Sequence, residues 1–308
     1  MADYGGCIRY GKEILNSPPY EVRSKSDKTV LGDLFYIMGN AYYEEEDLAN
    51  TLSCFSSALE YNADHGLYYR DYSIALAKSG NLDQAEQMLE RAVSLGIGQD
   101  SIYLVQGEIA YVRGMYQEAI ELFLDTLNIT EDNQIRRRCV LLADRAYQML
   151  GPDSLEAEVQ FLETWEQGTG ERSSFQITER LADAYSRQGE YEKALLKFQG
   201  LIRRGYSTYQ IWCNLAVLHQ QLGEFEEAEK ILKDLLERDP GRYETYKRLA
   251  FFEADLQKTR ENAQRDYHKM ADYYEQAARL YESQKETDEE MQVLQVLMED
   301  VRDGHWLD

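Results

Sequence analysis

The sequence is poor in residues that break helices or cross-link chains. Four prolines occur in 308 residues, at Pro18, Pro19, Pro152 and Pro240. Proline inside a helix removes a backbone donor and clashes with the preceding turn, so the long proline-free stretches favour helix. Cysteine is equally sparse: Cys7, Cys54, Cys139 and Cys213 lie tens of residues apart, with no CxxC pair. That spacing suggests neither a zinc site nor a redox motif, and it is not a disulfide scaffold. Reduced, buried thiols are the expectation. Positive charge is also scarce. The 33 Lys and Arg stand against 56 Asp and Glu, a formal charge of −23. Nucleic-acid binders need a basic excess to neutralise phosphates, and an anionic membrane surface repels an acidic chain. No nucleic-acid partner is therefore expected. The mean field favours a peptide or protein partner that is basic; the alternative is that acidity only keeps the chain in solution. No run of about 18 apolar residues exists, and the start lacks the basic-then-apolar layout of a signal peptide. No direct membrane insertion by this chain is expected, and it reads as soluble and cytoplasmic.

Catalytic signatures are missing too. His65, His219, His268 and His305 stand apart from one another and outside any HExxH. Gly168-x-Gly170 lacks the flanking strand and helix of a phosphate loop. Asn128-Ile-Thr130 is a glycosylation sequon by pattern only. No catalytic residue, metal ligand or cofactor is expected, and the chain reads as a non-enzyme. The run Glu44 to Asp47 reads as a solvated acidic loop, with contact to a basic partner as the alternative.

What is present is a period. Gly80 and Gly114 are 34 residues apart, as are Ala85 and Ala119, Gly189 and Gly223, and Ala194 and Ala228. Phe35, Tyr69 and Tyr103 form a ladder at the same step, and Leu181, Leu215 and Leu249 another. The segment WCNLAVLHQQLGEFEEAEKILKDLLERDP from Trp212 holds an aromatic start, a Leu215–Ala216 pair, a turn glycine at 223, Ala228 and a closing Pro240. A period of about 34 with these residue types resembles the tetratricopeptide repeat. The resemblance implies an all-α fold, a right-handed superhelical solenoid of helix-turn-helix units. Small residues are expected where the two helices of a unit cross: Gly39, Ala182 and Ala216 on the first, Ala85, Ala119, Ala194 and Ala228 on the second. Phe55, Phe123 and Phe198 fill the gaps between. One unit cannot bury its own apolar face, so neighbours must stack.

The anchors divide the chain into a half-repeat and linker (1–31), three units (32–133), a degenerate unit and hinge candidate (134–174), three more units with the last enlarged (175–285), and a capping helix (286–308). The enlarged unit's second helix is expected over roughly 259–283. The stretch GTGERSS at 168–174 is the hinge candidate. DYGGCIRYGKEIL, from Asp3, has the pattern of a second helix with no first helix before it. Either the chain is part of a longer protein, or this is a natural capping helix.

Further segments resemble the C-terminal region of membrane-linked serine/threonine kinases of Gram-positive bacteria. They are GDLFYIMGNAYYEEED from Gly32, LYYRDYSIALAKSG from Leu67, DSIYLVQGEIAY from Asp100, DYHKMADYYEQAARLYE from Asp266 and the ending DEEMQVLQVLMEDVRDGHWL. That resemblance implies an upstream kinase domain and membrane span, and so a possible membrane tether of unknown side. The kinase motifs themselves are not in this sequence: no G-x-G-x-x-G loop on a strand, no HRD and no DFG.

In tetratricopeptide proteins the first helix of each unit lines a concave groove. Carried over by position, the partner-binding groove is expected at Tyr36, Asn40, Tyr43, Arg70, Ile74, Glu108, Tyr111 and Arg145. Tyrosine supplies apolar area and a hydrogen-bonding tip at low entropic cost; the alternative is that these tyrosines pack on the adjacent repeat. Chaperone-binding members grip a peptide C-terminus with a Lys/Asn clamp. Here Tyr36 stands in place of the first Lys and Asp71 in place of the second Asn, so a carboxylate clamp is not expected. The functional expectation is an interaction scaffold, the sensing or scaffolding region of a larger bacterial signalling kinase. The alternative is a structural spacer or self-association element.

Overall fold

The structure, a computed structural model, describes residues 3–16, 25–168, 175–284 and 288–303. These residues form sixteen α-helices and two short 3-10 turns, without a strand. The chain divides into two compact units, Met1–Trp165 and Glu166–Asp308. Most of the hinge candidate, 169–174, lies outside the described residues.

The first unit opens with α1 (Tyr4–Asn16). Four hairpins follow: α2 (Lys25–Glu44) with α3 (Leu48–Tyr61), α4 (Gly66–Lys78) with α5 (Leu82–Ser94), α6 (Gln99–Val112) with α7 (Tyr116–Ile129), and α8 (Asn133–Leu150) with α9 (Leu155–Gly168). Tyr147 of α8 meets Phe161 of α9 at 5.5 Å, which closes the irregular fourth hairpin. The second unit pairs α10 (Phe175–Gln188) with α11 (Tyr191–Arg203), α12 (Tyr209–Gln221) with α13 (Phe225–Arg238), and α14 (Tyr243–Lys258) with α15 (His268–Gln284), and ends in α16 (Glu289–Arg302).

Two local rules of the repeat explain why these residues make hairpins. The first is the turn. Gly80, Gly114, Gly189 and Gly223 have φ of 85°, 78°, 83° and 78°, the left-handed region that glycine enters without a Cβ clash. The Asn81 N–H then reaches back to the Leu76 carbonyl at 2.9 Å and closes the helix end. The first hairpin does the same without glycine: Glu46, 34 residues before Gly80, has φ 61°, and the Asp47 N–H bonds the Tyr42 carbonyl at 2.9 Å. Asp47 then caps α3 by accepting the Asn50 N–H at 3.1 Å.

The second rule is the crossing. A Cβ on Gly39 would lie 2.6 Å from the Phe55 ring, and one on Gly107 2.6 Å from the Phe123 ring. The glycines let the phenylalanines press onto the partner helix backbone. In the second unit Ala182, Ala216 and Ala250 hold the corresponding places, all buried.

One boundary differs from the sequence reading. The last hairpin's second helix does not start near Thr259. A 3-10 turn occupies Asn262–Gln264 and α15 begins at His268. The Asp266 N–H donates to Gln257 Oε1 at 2.9 Å, and Arg265 Nε to the Arg260 carbonyl at 3.2 Å. These polar contacts take up backbone groups that a helix would have paired.

Candidate functional site

In the first unit α2, α4, α6 and α8 are the leading helices of successive hairpins, and their side chains meet in one polar row. The Tyr36 hydroxyl of α2 donates to Asp71 of α4. Asp71 is also gripped by Arg70, with Nε to Oδ1 at 2.6 Å and a second guanidinium nitrogen to Oδ2 at 3.0 Å. Farther along α2, the Tyr43 hydroxyl accepts from Arg138 of α8 at 3.0 Å. Arg138 also pairs with Glu108 of α6 at 2.8 Å. The Tyr43 ring lies between cations, with Lys78 Nζ at 4.8 Å and the Arg138 guanidinium carbon at 5.5 Å from its centre.

Burial and charge set the ionisation of the row. Burial, then the Asp71 carboxylate, push Tyr36 up to about 12. Burial, then Glu108, push Tyr43 up to about 12. Both phenols stay neutral. Burial opposes the Arg138 charge, but Glu108, Tyr43 and Asp71 together outweigh it, and the guanidinium is held more firmly protonated than usual. The result is a set of fixed donors, acceptors and aromatic faces suited to hydrogen-bond and cation–π recognition.

Of the eight residues expected in the groove, Tyr36, Asn40, Tyr43, Arg70 and Glu108 come together here, Asn40 one turn beyond Tyr36 on α2. Ile74 does not. It is 2% exposed and packs with Leu76, Ala77, Ala85 and Val105, because α4 is buried on nearly all sides along 73–77. Tyr111 lies at the far end of α6, edge-on to Tyr116 at 5.5 Å. Arg145 is exposed on α8, two turns beyond Arg138. Tyr36 also stacks on Tyr68 of the next hairpin at 4.6 Å, so it serves packing as well as the polar row. The two residues that break the carboxylate-clamp pattern, Tyr36 and Asp71, bond to each other.

Asp71, Lys78 and Arg138 complete the row beyond those eight positions. A spacing signal was available. Tyr36–Asp71, Asp33–Tyr68 and Gln220–Asp255 are all bonded pairs separated by 35, one more than the repeat. A polar pair at that step joins leading helices of adjacent hairpins.

The second unit has its own inner polar contacts. Asn214 Nδ2 donates to Asp183 at 2.9 Å, and Gln220 Nε2 to Asp255 at 2.5 Å. Beside them is an open hollow of about 260 Å³, floored by Ala216 and Phe252 and edged by Arg248 and Asp255. Among the described residues, no group of three or more His, Cys, Asp or Glu is placed to hold a metal ion. No helix among them is long and apolar enough to cross a membrane.

The tetratricopeptide repeat family model matches residues 36–102, 74–133 and 179–243, more than half of the chain. The chain belongs to the tetratricopeptide repeat family, whose members mediate protein–protein interactions. Solved structures agree on the fold. Yeast Tom70 superposes with a TM-score of 0.58 at 15% identity over 98% of this chain and 59% of that one. The C-terminal part of a repeat protein from Cytophaga hutchinsonii gives 0.57 at 15% identity, covering 80% and 95%. PilF of Pseudomonas aeruginosa gives 0.52 at 14%, covering 71% and 96%. At these identities the likeness is one of fold alone. No curated protein matches the sequence.

Proposed function

We propose that the chain is a non-catalytic scaffold that recognises a peptide or protein partner on the leading helices of its first unit. Tyr36, Asn40, Tyr43, Arg70, Glu108 and Arg138 form the recognition surface. The observation that carries this reading is the row itself: the leading helices of four successive hairpins supply two bonded sets along α2, Tyr36 with Asp71 and Arg70, and Tyr43 with Arg138 and Glu108. Polar groups tied to one another in this way are pre-organised, which lowers the entropy lost when a ligand docks. A basic partner fits the acidic balance of the chain, formally −23. The wider setting, the sensing or scaffolding region of a Gram-positive membrane-linked kinase, is supported by the sequence resemblance of five segments spread along the chain. In that setting the chain is tethered to a membrane through a segment upstream.

A pull-down from a Gram-positive lysate tests the surface. Wild type is compared with a Tyr36→Ala, Tyr43→Ala, Arg70→Ala variant shown folded by circular dichroism. A partner held by wild type and lost by the variant is the expected result. Equal retention by both, or none by either, would overturn the reading.

A further inference from the structure

The hollow of the second unit lies between two leading helices. One wall is α12, through Ala216 and Gln220; the other is α14, through Arg248, Phe251 and Asp255, with Phe252 at the floor. Both walls are already paired with their own second helices, α12 with α13 and α14 with α15. The hollow is therefore a groove between paired helices, not a helix seat at an end of the array. At about 260 Å³ it falls below the roughly 300–1,000 Å³ of pockets that enclose a whole small molecule. Its size suits one or two apolar side chains.

The rim carries opposite charges at opposite ends. Arg248, Phe251 and Asp255 stand at i, i+3 and i+7 on one stripe of α14. Two turns set the charges about 10.5 Å apart along the helix. The Arg248 guanidinium comes no closer than 3.8 Å to Glu290 Oε1, beyond hydrogen-bond length. The other Glu290 oxygen is held by Lys247 at 2.8 Å. Arg248, with 31% of its side chain exposed, therefore keeps N–H donors for a ligand. At the far end Asp255 Oδ2 accepts from Gln220 at 2.5 Å, and Oδ1 lies 3.6 Å from Lys258. The Asp255 side chain is 46% exposed, and a carboxylate has acceptor sites beyond those two. Between the charges Phe252, buried against Phe225 at 6.1 Å, is a fixed apolar floor.

We propose that this hollow is a second recognition site, which takes an extended segment of a protein partner carrying an acidic, a large apolar and a basic residue at alternate positions. Alternate side chains of an extended chain point the same way, and four steps span about 13 Å. That matches the Arg248-to-Asp255 separation within the reach of the side chains. The acidic residue meets Arg248, the apolar one fills the hollow over Phe252, and the basic one meets Asp255. Opposite charges at the two ends fix the direction in which the segment lies.

Fluorescence anisotropy of the full chain with the peptide Gly-Glu-Ser-Leu-Ser-Lys-Gly tests this. The peptide is labelled at its N-terminus and amidated at its C-terminus, so no terminal carboxylate contributes. Wild type is expected to bind saturably, with Kd below about 1 mM. Replacing the peptide's Leu by Ser should weaken binding about tenfold or more. Arg248→Glu should weaken it about tenfold, and a peptide with Lys in place of its Glu should bind that variant more tightly than it binds wild type. Asp255→Lys, at the more exposed end, should cost about threefold. The Tyr36→Ala, Tyr43→Ala, Arg70→Ala variant should bind the peptide as wild type does, which separates this site from the row of the first unit. No saturable binding by wild type overturns the proposal. So does binding indifferent to the Leu or to Arg248, a swapped peptide that does not favour the Arg248→Glu variant, or loss of the peptide in the first-unit variant.

Discussion

The two units run the same repeat with different inner chemistry. In the first, the leading helices are joined by phenol, carboxylate and guanidinium: Tyr36 to Asp71 and Arg70, Tyr43 to Arg138 and Glu108. In the second, amide–carboxylate links join α10 to α12 and α12 to α14, Asn214 to Asp183 and Gln220 to Asp255, and Lys247 and Tyr243 of α14 hold Asp288 at the start of α16. The crossings differ in the same sense. Glycine and a pressed phenylalanine recur in the first unit, alanine in the second. A period of 34 constrains where the small residues and turns fall. It leaves the polar residues of the leading helices free, and there the units have diverged. The tight glycines make the helix crossings of the first unit the less tolerant of substitution.

Single changes can break this comparison. The largest effect is expected at Arg138→Met, which leaves Glu108 buried without its counter-charge and should cost about 3 kcal/mol in denaturant unfolding. The counterpart Asn214→Ala, at a half-buried neutral donor, should cost under about 1 kcal/mol. Next comes Gly107→Ala. Its new Cβ meets the Phe123 ring at 2.6 Å, and the strain should cost about 2 kcal/mol by the same measurement. Ala216→Gly in the second unit adds no clash and should lose only about 1 kcal/mol of helix propensity.

A pH scan sharpens the contrast further. The phenols of Tyr36 and Tyr43 hold their protons to about 12 when folded, against an ordinary 10.0. The folded state therefore binds more protons than the unfolded state between those values. Their contribution is complete below pH 10 and is lost as pH rises toward 12. Melting of wild type should fall more steeply over that window than melting of a Tyr36→Phe, Tyr43→Phe variant. Parallel curves would remove these phenols from the account.

The smallest effect is stabilising. Glu46 holds a left-handed conformation that its 34-residue equivalents fill with glycine. Glu46→Gly should raise stability by about 0.5 to 1 kcal/mol, the relief of the Cβ clash less the added chain entropy. A loss on that substitution would mean that the Glu46 side chain does something the backbone geometry does not reveal.

These contrasts also mark what was legible in the residues. Turn glycines at 80, 114, 189 and 223 and crossing residues such as Gly39 and Ala216 repeat because backbone geometry admits few alternatives, so helices and hairpins could be read directly. The run Glu44 to Asp47 read as a loop, and its turn forms without glycine because hydrogen bonding and the Asp47 cap hold Glu46. Ile74 was misplaced because a position within a repeat gives a helix face, whereas burial depends on how many neighbours crowd that face. The partnership of Arg138 with Tyr43 spans 95 residues, beyond the reach of adjacent-repeat pattern. The start of α15 depended on side-chain bonds from Arg265 and Gln257 that no propensity encodes.

The central claim is that the polar row of the first unit is where a partner is recognised. Hydrogen exchange of the chain alone and with the partner recovered from lysate tests it most directly. The account predicts new protection concentrated in α2, α4, α6 and α8, and its loss in the Tyr36→Ala, Tyr43→Ala, Arg70→Ala variant. Protection confined to the second unit, or unchanged by that variant, would contradict it.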